Sequence, residues 1–116
     1  MFNLKSLLRD PRFMISAGTL KAAYDRHDFG MILDVRTQEE YLGSHLESSI
    51  NIPIDELVLK ISALVPLKTT RIYCYCQTDN RSYRAVKLLK DMGYQSSWAL
   101  TGGISEWQKK GFGVVG

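Results

Sequence analysis

The sequence predicts an α/β domain with a central, mainly parallel sheet and helices on both faces. Three observations predict it. Short apolar runs alternate with segments of helical periodicity along the whole chain. The apolar runs are continuous, as expected of parallel strands buried on both faces. The 116 residues, 45% hydrophobic and 23% charged, suffice for one domain with a real core and are too few for two.

The elements follow in order. Ser16 is a good N-cap, and Leu20, Ala23, Tyr24 and His27 recur at helical spacing before Gly30 marks the stop. Met31-Ile32-Leu33-Asp34-Val35 reads as a buried strand whose polar C-terminal end opens onto a site. A brief helix is expected from Thr37 to about Tyr41, then a loop with Gly43, Ser44 and His45. Ser49-Ile50-Asn51-Ile52-Pro53 reads as a short strand ended by proline. From Ile54, the residues Leu57, Val58, Ile61, Leu64 and Val65 mark one face of a helix that Pro66 terminates.

The apolar Arg71-Ile72-Tyr73-Cys74-Tyr75 is the next strand and leads into Cys76-Gln77-Thr78-Asp79-Asn80-Arg81. A helical pattern from Ser82 onward carries the stripe Ala85, Leu88, Leu89 and Met92 and closes at Gly93. Residues 96–100 form a last strand before Thr101-Gly102-Gly103, and a final helix from Ile104 to about Lys110 stops at Gly111. Leu4, Leu7 and Leu8 mark an amphipathic turn expected to dock on its own domain. The chain shows no internal repeat, low-complexity stretch or interior linker.

Composition narrows the function classes. The net charge is +3 with basic residues scattered along the chain, which gives no support for a nucleic-acid partner beyond a mild attraction to small anions. The first ten residues lack the apolar core and small-residue cleavage site of a signal peptide, and no segment is long enough to span a membrane. The two cysteines, Cys74 and Cys76, sit two apart on one strand, where a disulfide between them would be strained. A reducing cytoplasm is the expected location. Without further cysteine or histidine nearby they also make a poor zinc site, so no metal is expected.

The chemistry concentrates at Cys76. A thiol at a strand end, with a tight turn behind it and a helix starting beyond, sits in a bowl of backbone N–H groups at the positive end of a helix dipole. Such a bowl favours an anion, hence the thiolate, which is the nucleophilic form, and Arg81 adds positive charge at the rim. Cys74 lies within the strand and reads as a small core residue. Asp34, Cys76 and the Gly102-Gly103 pair all fall at carboxyl ends of strands, which places them on one edge of the sheet.

Three motifs occur in order: Leu33-Asp34-Val35-Arg36 with Glu39-Glu40-Tyr41, His45 and Ile50-Asn51-Ile52-Pro53; Tyr75-Cys76 through Arg81-Ser82; and Leu100-Thr101-Gly102-Gly103 with Trp107. In this order and spacing the chain resembles the single-domain rhodanese sulfurtransferases, from about Ile15 to Gly111. The resemblance implies the rhodanese-like three-layer fold, with an N-terminal extension at 1–14 and the domain at 15–113. It implies a reaction in which Cys76 takes a sulfane sulfur from thiosulfate or a persulfide and passes it to a thiol, a protein acceptor or cyanide. No metal or organic cofactor is implied.

On this reading the N–H groups of Gln77, Thr78, Asp79, Asn80 and Arg81 are the direct ligands of the transferred sulfur. The Arg81 side chain is expected to contact the donor's anionic end in preference to pairing with a carboxylate. Asp34, accepting loop N–H bonds, and Arg36, pairing with Glu39 or Glu40, are expected to be structural supports. His45 is expected to order its loop by a hydrogen bond, since a thiolate in this bowl needs no general base. Trp107, Gly102 and Gly103 read as packing.

Two alternatives stay open. Cysteine-dependent phosphatases place five residues between Cys and Arg where this chain places four, a smaller ring that suits sulfur better than a phosphoryl group; phosphatase or arsenate reductase activity is the runner-up enzyme reading. A non-catalytic rhodanese-like module, binding a partner or sensing oxidants through Cys76, would be marked by a missing or buried thiol. The chain departs from the family pattern at Asp79, where glycine is usual, and at Ser44, with Gly43 one place earlier. Asp79 is expected to keep the turn because Asp tolerates left-handed backbone angles. An inward-pointing carboxylate there would oppose the thiolate and weaken turnover with thiosulfate.

Overall fold

Five short strands, each parallel to its neighbours, form the sheet: β1 (Met14–Ile15), β2 (Met31–Asp34), β3 (Ser49–Asn51), β4 (Ile72–Tyr75) and β5 (Ser97–Leu100), in the order β1-β5-β4-β2-β3. The computed structural model describes residues 9–116, and the amphipathic turn expected at Leu4, Leu7 and Leu8 lies outside the described residues. Between the strands run α1 (Ala17–Asp25), α2 (Gln38–Gly43), α3 (Leu57–Leu64) and α4 (Asn80–Asp91), and α5 (Gly103–Lys109) follows β5. Short 3-10 turns at Pro11–Phe13 and Ile54–Glu56 lead into β1 and α3.

Strand alternation sorts the core into two layers. Leu33, Ile72, Cys74 and Cys76 face the side covered by Ile61 of α3 and by Ala85, Val86 and Leu89 of α4. Ile32, Tyr73, Tyr75 and Leu100 face the other side, against Leu20 of α1 and Ile104 and Trp107 of α5. The period-2 pleat alone produces this division, because successive side chains of one strand point to opposite faces. Both faces are covered, which is why the strands carry no polar alternation.

Several boundaries differ from the sequence reading. The strand β1 was not expected; two residues are too short to show a period, and pairing with β5 is what defines them. Helix α1 ends before Gly30 because His27 takes φ 54°, and the Asp28 N–H then closes back on Ala23 O at 2.9 Å. Helix α4 starts at Asn80, two residues earlier than Ser82. On α3, Leu57 and Ile61 are buried with Val65 just beyond, four residues apart along one stripe, whereas Val58 and Leu64 flank that stripe and are exposed. No helix of the described residues is long and apolar enough to cross a membrane.

Candidate active site

From β2 the chain passes outward to β3, whereas from β4 it passes to β5 on the other side, so the adjoining carboxyl ends of β2 and β4 form the switch point of the sheet. Open α/β sheets bind ligands at this point. Asp34 closes β2, Cys76 follows β4, and Asp34 pairs in register with Tyr75. The edge expected from the sequence is therefore a real juxtaposition.

Cys76 lies at the floor of its loop, only 1% exposed. The Ser82 N–H donates to its Sγ at 3.4 Å, and the thiol donates to Ser82 Oγ at 3.5 Å. A hydroxyl rotates freely, so when the thiol ionises the same Ser82 hydroxyl can turn and donate to sulfur. Ser82 was part of the loop motif but was not singled out; its place in the first turn of α4 brings it back over the cysteine.

The loop is shaped from its carbonyl side. Cys76 O and Gln77 O accept the N–H groups of Ile104 and Ser105, the opening of α5, at 3.0 and 3.1 Å, and Gln77 Nε2 donates to Ser105 Oγ at 2.8 Å. In a trans peptide the C=O and the next N–H point oppositely, so with these carbonyls turned to α5 the N–H groups of Gln77 and Thr78 face away from it. Asn80 and Arg81 open α4, where first-turn N–H groups have no intrahelical acceptor. Among the described residues no hydrogen bond occupies the N–H of Gln77, Thr78, Asp79, Asn80 or Arg81. One helix N-terminus thus holds the loop's carbonyls while the other leaves donors for an anion.

Gly103 makes this docking possible. Its φ is +59°, and a Cβ there would lie 2.0 Å from Thr78 O and 2.4 Å from Cys76 O. The expectation of simple packing understated it: the glycine is where the loop rests on α5.

Asp79 corrects another expectation. Its φ is −146°, so no left-handed turn is involved and the backbone does not call for glycine. Its carboxylate accepts the Gly102 N–H at 3.0 Å and pairs with Arg9 at 3.1 Å.

The Arg81 side chain also differs from its expected role. Its Nη1 and Nη2 donate to the two carboxylate oxygens of Glu40 at 2.7 and 3.0 Å, a bidentate pair, so the guanidinium is engaged by α2. These bonds hold the Glu40 carboxyl at about 2 against the opposing effect of burial, helped by the Thr37 N–H. Glu40 completes a capping box with Thr37 as well, so α2 is fixed at its start by the residue that fixes Arg81.

Arg36 pairs with Asp34 and not with Glu39 or Glu40. Its Nε and Nη2 reach the carboxylate at 3.1 and 2.7 Å, its own N–H donates to Asp34 Oδ1 at 2.9 Å, and Nη2 also donates to Ser44 O at 2.6 Å. Asp34 consequently accepts no N–H from the Cys76 loop; the nearer N–H and guanidinium of its own strand end saturate it. His45 Nδ1 donates to Tyr41 O at 2.8 Å while its ring stacks on Tyr41 with centroids 3.8 Å apart. Its backbone bridges Val115, so the imidazole is tied into its own loop. Cys74 is fully buried, and burial first, then neighbouring Cys76, pushes its thiol well up. Among the described residues no cluster of three or more His, Cys, Asp or Glu side chains is placed to hold a metal.

Glu40 and Arg9 are the contacts that sequence reasoning missed as partners. Glu40 stood in the first motif as a neighbour of Arg36. Arg9 is 70 residues from Asp79, with no periodicity to connect them.

Comparison with known proteins agrees with this fold. The family model of the rhodanese-like domain matches residues 16–110. The adenylyltransferase and sulfurtransferase uba4 of Ogataea parapolymorpha is 40% identical over 79 residues, 68% of this chain and 20% of that protein. The thiosulfate sulfurtransferase PspE of Escherichia coli is 37% identical over 62 residues, 53% of this chain and 60% of that one. Both matches span less than two thirds of the relative's length. The crystal structure of a rhodanese-related protein from Thermoplasma volcanium superposes with a TM-score of 0.76 at 32% identity, covering 88% of this chain and 96% of that one.

Proposed function

The chain belongs to the rhodanese-like domain family, and from that premise we propose that it is a sulfurtransferase carrying a sulfane sulfur as a persulfide on Cys76. In the loading step the Cys76 thiolate attacks the outer sulfur of thiosulfate; a new S–S bond forms, the old one breaks, and sulfite leaves with its electron pair. A persulfide donor loads the site likewise, with a thiolate leaving. In the second step an acceptor thiolate or cyanide attacks the outer sulfur, and Cys76 departs as thiolate. Such a cycle is ping-pong. No bond order changes on protein atoms other than Sγ, so the loop needs only to hold successive anions.

One observation carries the reading: Sγ lies against Ser82 at the floor of a loop whose N–H groups at 77–81 are left without acceptors among the described residues. Those donors support an anionic donor first and the persulfide anion afterwards. The four residues between Cys76 and Arg81 support sulfur over a phosphoryl group. Two free cysteines, Cys74 and Cys76, support a reducing, cytoplasmic setting, with the working domain at 15–113.

The test is direct. Incubation with thiosulfate or a persulfide donor should add the mass of one sulfur to the intact protein, cyanide should remove it, and Cys76→Ser should gain none. A wild-type protein that takes up no sulfur from either donor would overturn the proposal. The burial of Cys76 favours one second reading, a module that binds partners or senses oxidants. It predicts an unlabelled protein in the same experiment.

A further inference from the structure

An anionic substrate and a carboxylate in its binding loop are in conflict, and Asp79 creates that conflict. The remaining acidic groups around the loop are matched locally: Glu40 by Arg81 and Asp34 by Arg36. Among the described residues Asp79 is matched only by Arg9, from the segment before β1. Nη2 of Arg9 lies 3.1 Å from Asp79 Oδ1 and also donates to Asn80 Oδ1, while Nη1 donates to Asp79 O at 3.1 Å. The guanidinium lies over the Tyr83 ring, 4.8 Å from its centroid, and the Asp10 N–H donates to Tyr83 Oη at 2.8 Å. The Arg9 side chain is only 10% exposed, unusual for a residue type that is ordinarily solvated.

We propose that Arg9 is a positioning residue for the Cys76 loop: it balances the Asp79 charge and fixes the loop's helix-ward end, so that an anionic sulfur donor meets the N–H groups without a competing carboxylate. The second Asp79 oxygen, on the Gly102 N–H, ties the same point to the turn before α5. Three segments distant in sequence are thereby joined at one carboxylate. Removing Arg9 leaves a single uncompensated negative charge beside the bowl. The role rests on Cys76 as the sulfur carrier, but the charge it describes can be read without sulfur transfer.

The experiment compares alkylation of Cys76 by anionic iodoacetate and neutral iodoacetamide at low ionic strength, with Cys76→Ser giving the background from Cys74. Arg9→Ala is expected to lower the iodoacetate-to-iodoacetamide rate ratio about three- to tenfold, as one unscreened charge at loop distance would. Arg9→Lys should retain most of the ratio, Asp79→Asn should raise it, and Arg9→Ala combined with Asp79→Asn should bring it back towards the wild-type value. An unchanged ratio in Arg9→Ala would overturn the proposal. So would an equal slowing by both reagents that Asp79→Asn fails to relieve, which is the signature of a purely structural contact. A protein that takes up no sulfur would sink the sulfurtransferase reading while leaving this ratio to stand or fall separately.

Discussion

At the scale of single residues, the loop's shape depends on an absent side chain. Gly103 combines a left-handed backbone with three carbonyls, of Cys76, Gln77 and Thr78, inside the space a Cβ would take. Gly103→Ala is expected to destabilise the domain by about 2–4 kcal/mol, combining the positive-φ penalty with displaced backbone. It should also slow sulfur loading at temperatures where the protein remains folded, because the carbonyls that move carry the loop N–H groups with them. Urea unfolding gives the first quantity and mass-detected persulfide formation the second; loss of stability with an unchanged loading rate would separate the glycine from the site. The sequence announced a close turn here but not what it turned against. Asp79 is the converse case. Its identity suggested a left-handed turn, yet its φ is −146°, and its significance lies in the partners of its carboxylate, which no local pattern reveals.

At the scale of elements, α2 and α4 are joined by the pair Glu40–Arg81, and this changes what Arg81 is expected to do. A guanidinium held by both oxygens of one carboxylate supports the loop through its backbone and leaves donor contact to the N–H groups. Arg81→Ala and Glu40→Gln should therefore act alike, lowering the melting temperature and the loading rate with little change in the KM for thiosulfate. A large KM rise in Arg81→Ala alone would restore the donor-contact role. The pair also has a pH signature. Glu40 titrates at about 2 in the folded protein, below its ordinary 4.5, so its stabilisation is complete above about 4.5 and fades as pH falls towards 2. The melting-temperature gap between wild type and Glu40→Gln should be full near neutral pH and shrink through that acid window; a gap independent of pH would rule out an ion pair as its source. Helix and strand positions were legible because each element is either periodic or continuously apolar. Their ends were less so: α1 stops at a left-handed histidine and α4 starts inside the loop motif, and both depend on backbone angles set by tertiary contacts.

At the scale of the whole molecule, the sheet divides the core in two, yet both halves share β2 and β4 and should unfold together. The buried Asp34–Arg36 pair sits where β2 ends, beside β4, and binds Ser44 O as well, while Asn51 Nδ2 donates to the carbonyls of both residues. It thus ties the end of β2 to the loop after α2 and to β3. The parallel architecture was readable from continuous apolar strands, but this polar centre was not, since spacing alone favoured Glu39 or Glu40 for Arg36. The difference is one of distance along the chain: a guanidinium two residues from a carboxylate at a strand end can fold back on it, and burial then rewards the shorter, better satisfied arrangement. Arg36→Met removes one partner and leaves the Asp34 carboxylate in a dry site, at an expected cost of about 3–5 kcal/mol. Because both core layers hang on the same two strands, the loss should appear as a single urea transition with a lower midpoint and an unchanged slope. Two resolved transitions would mean that the layers fold independently, and the carboxyl edge that positions Cys76 would then be held by one layer alone.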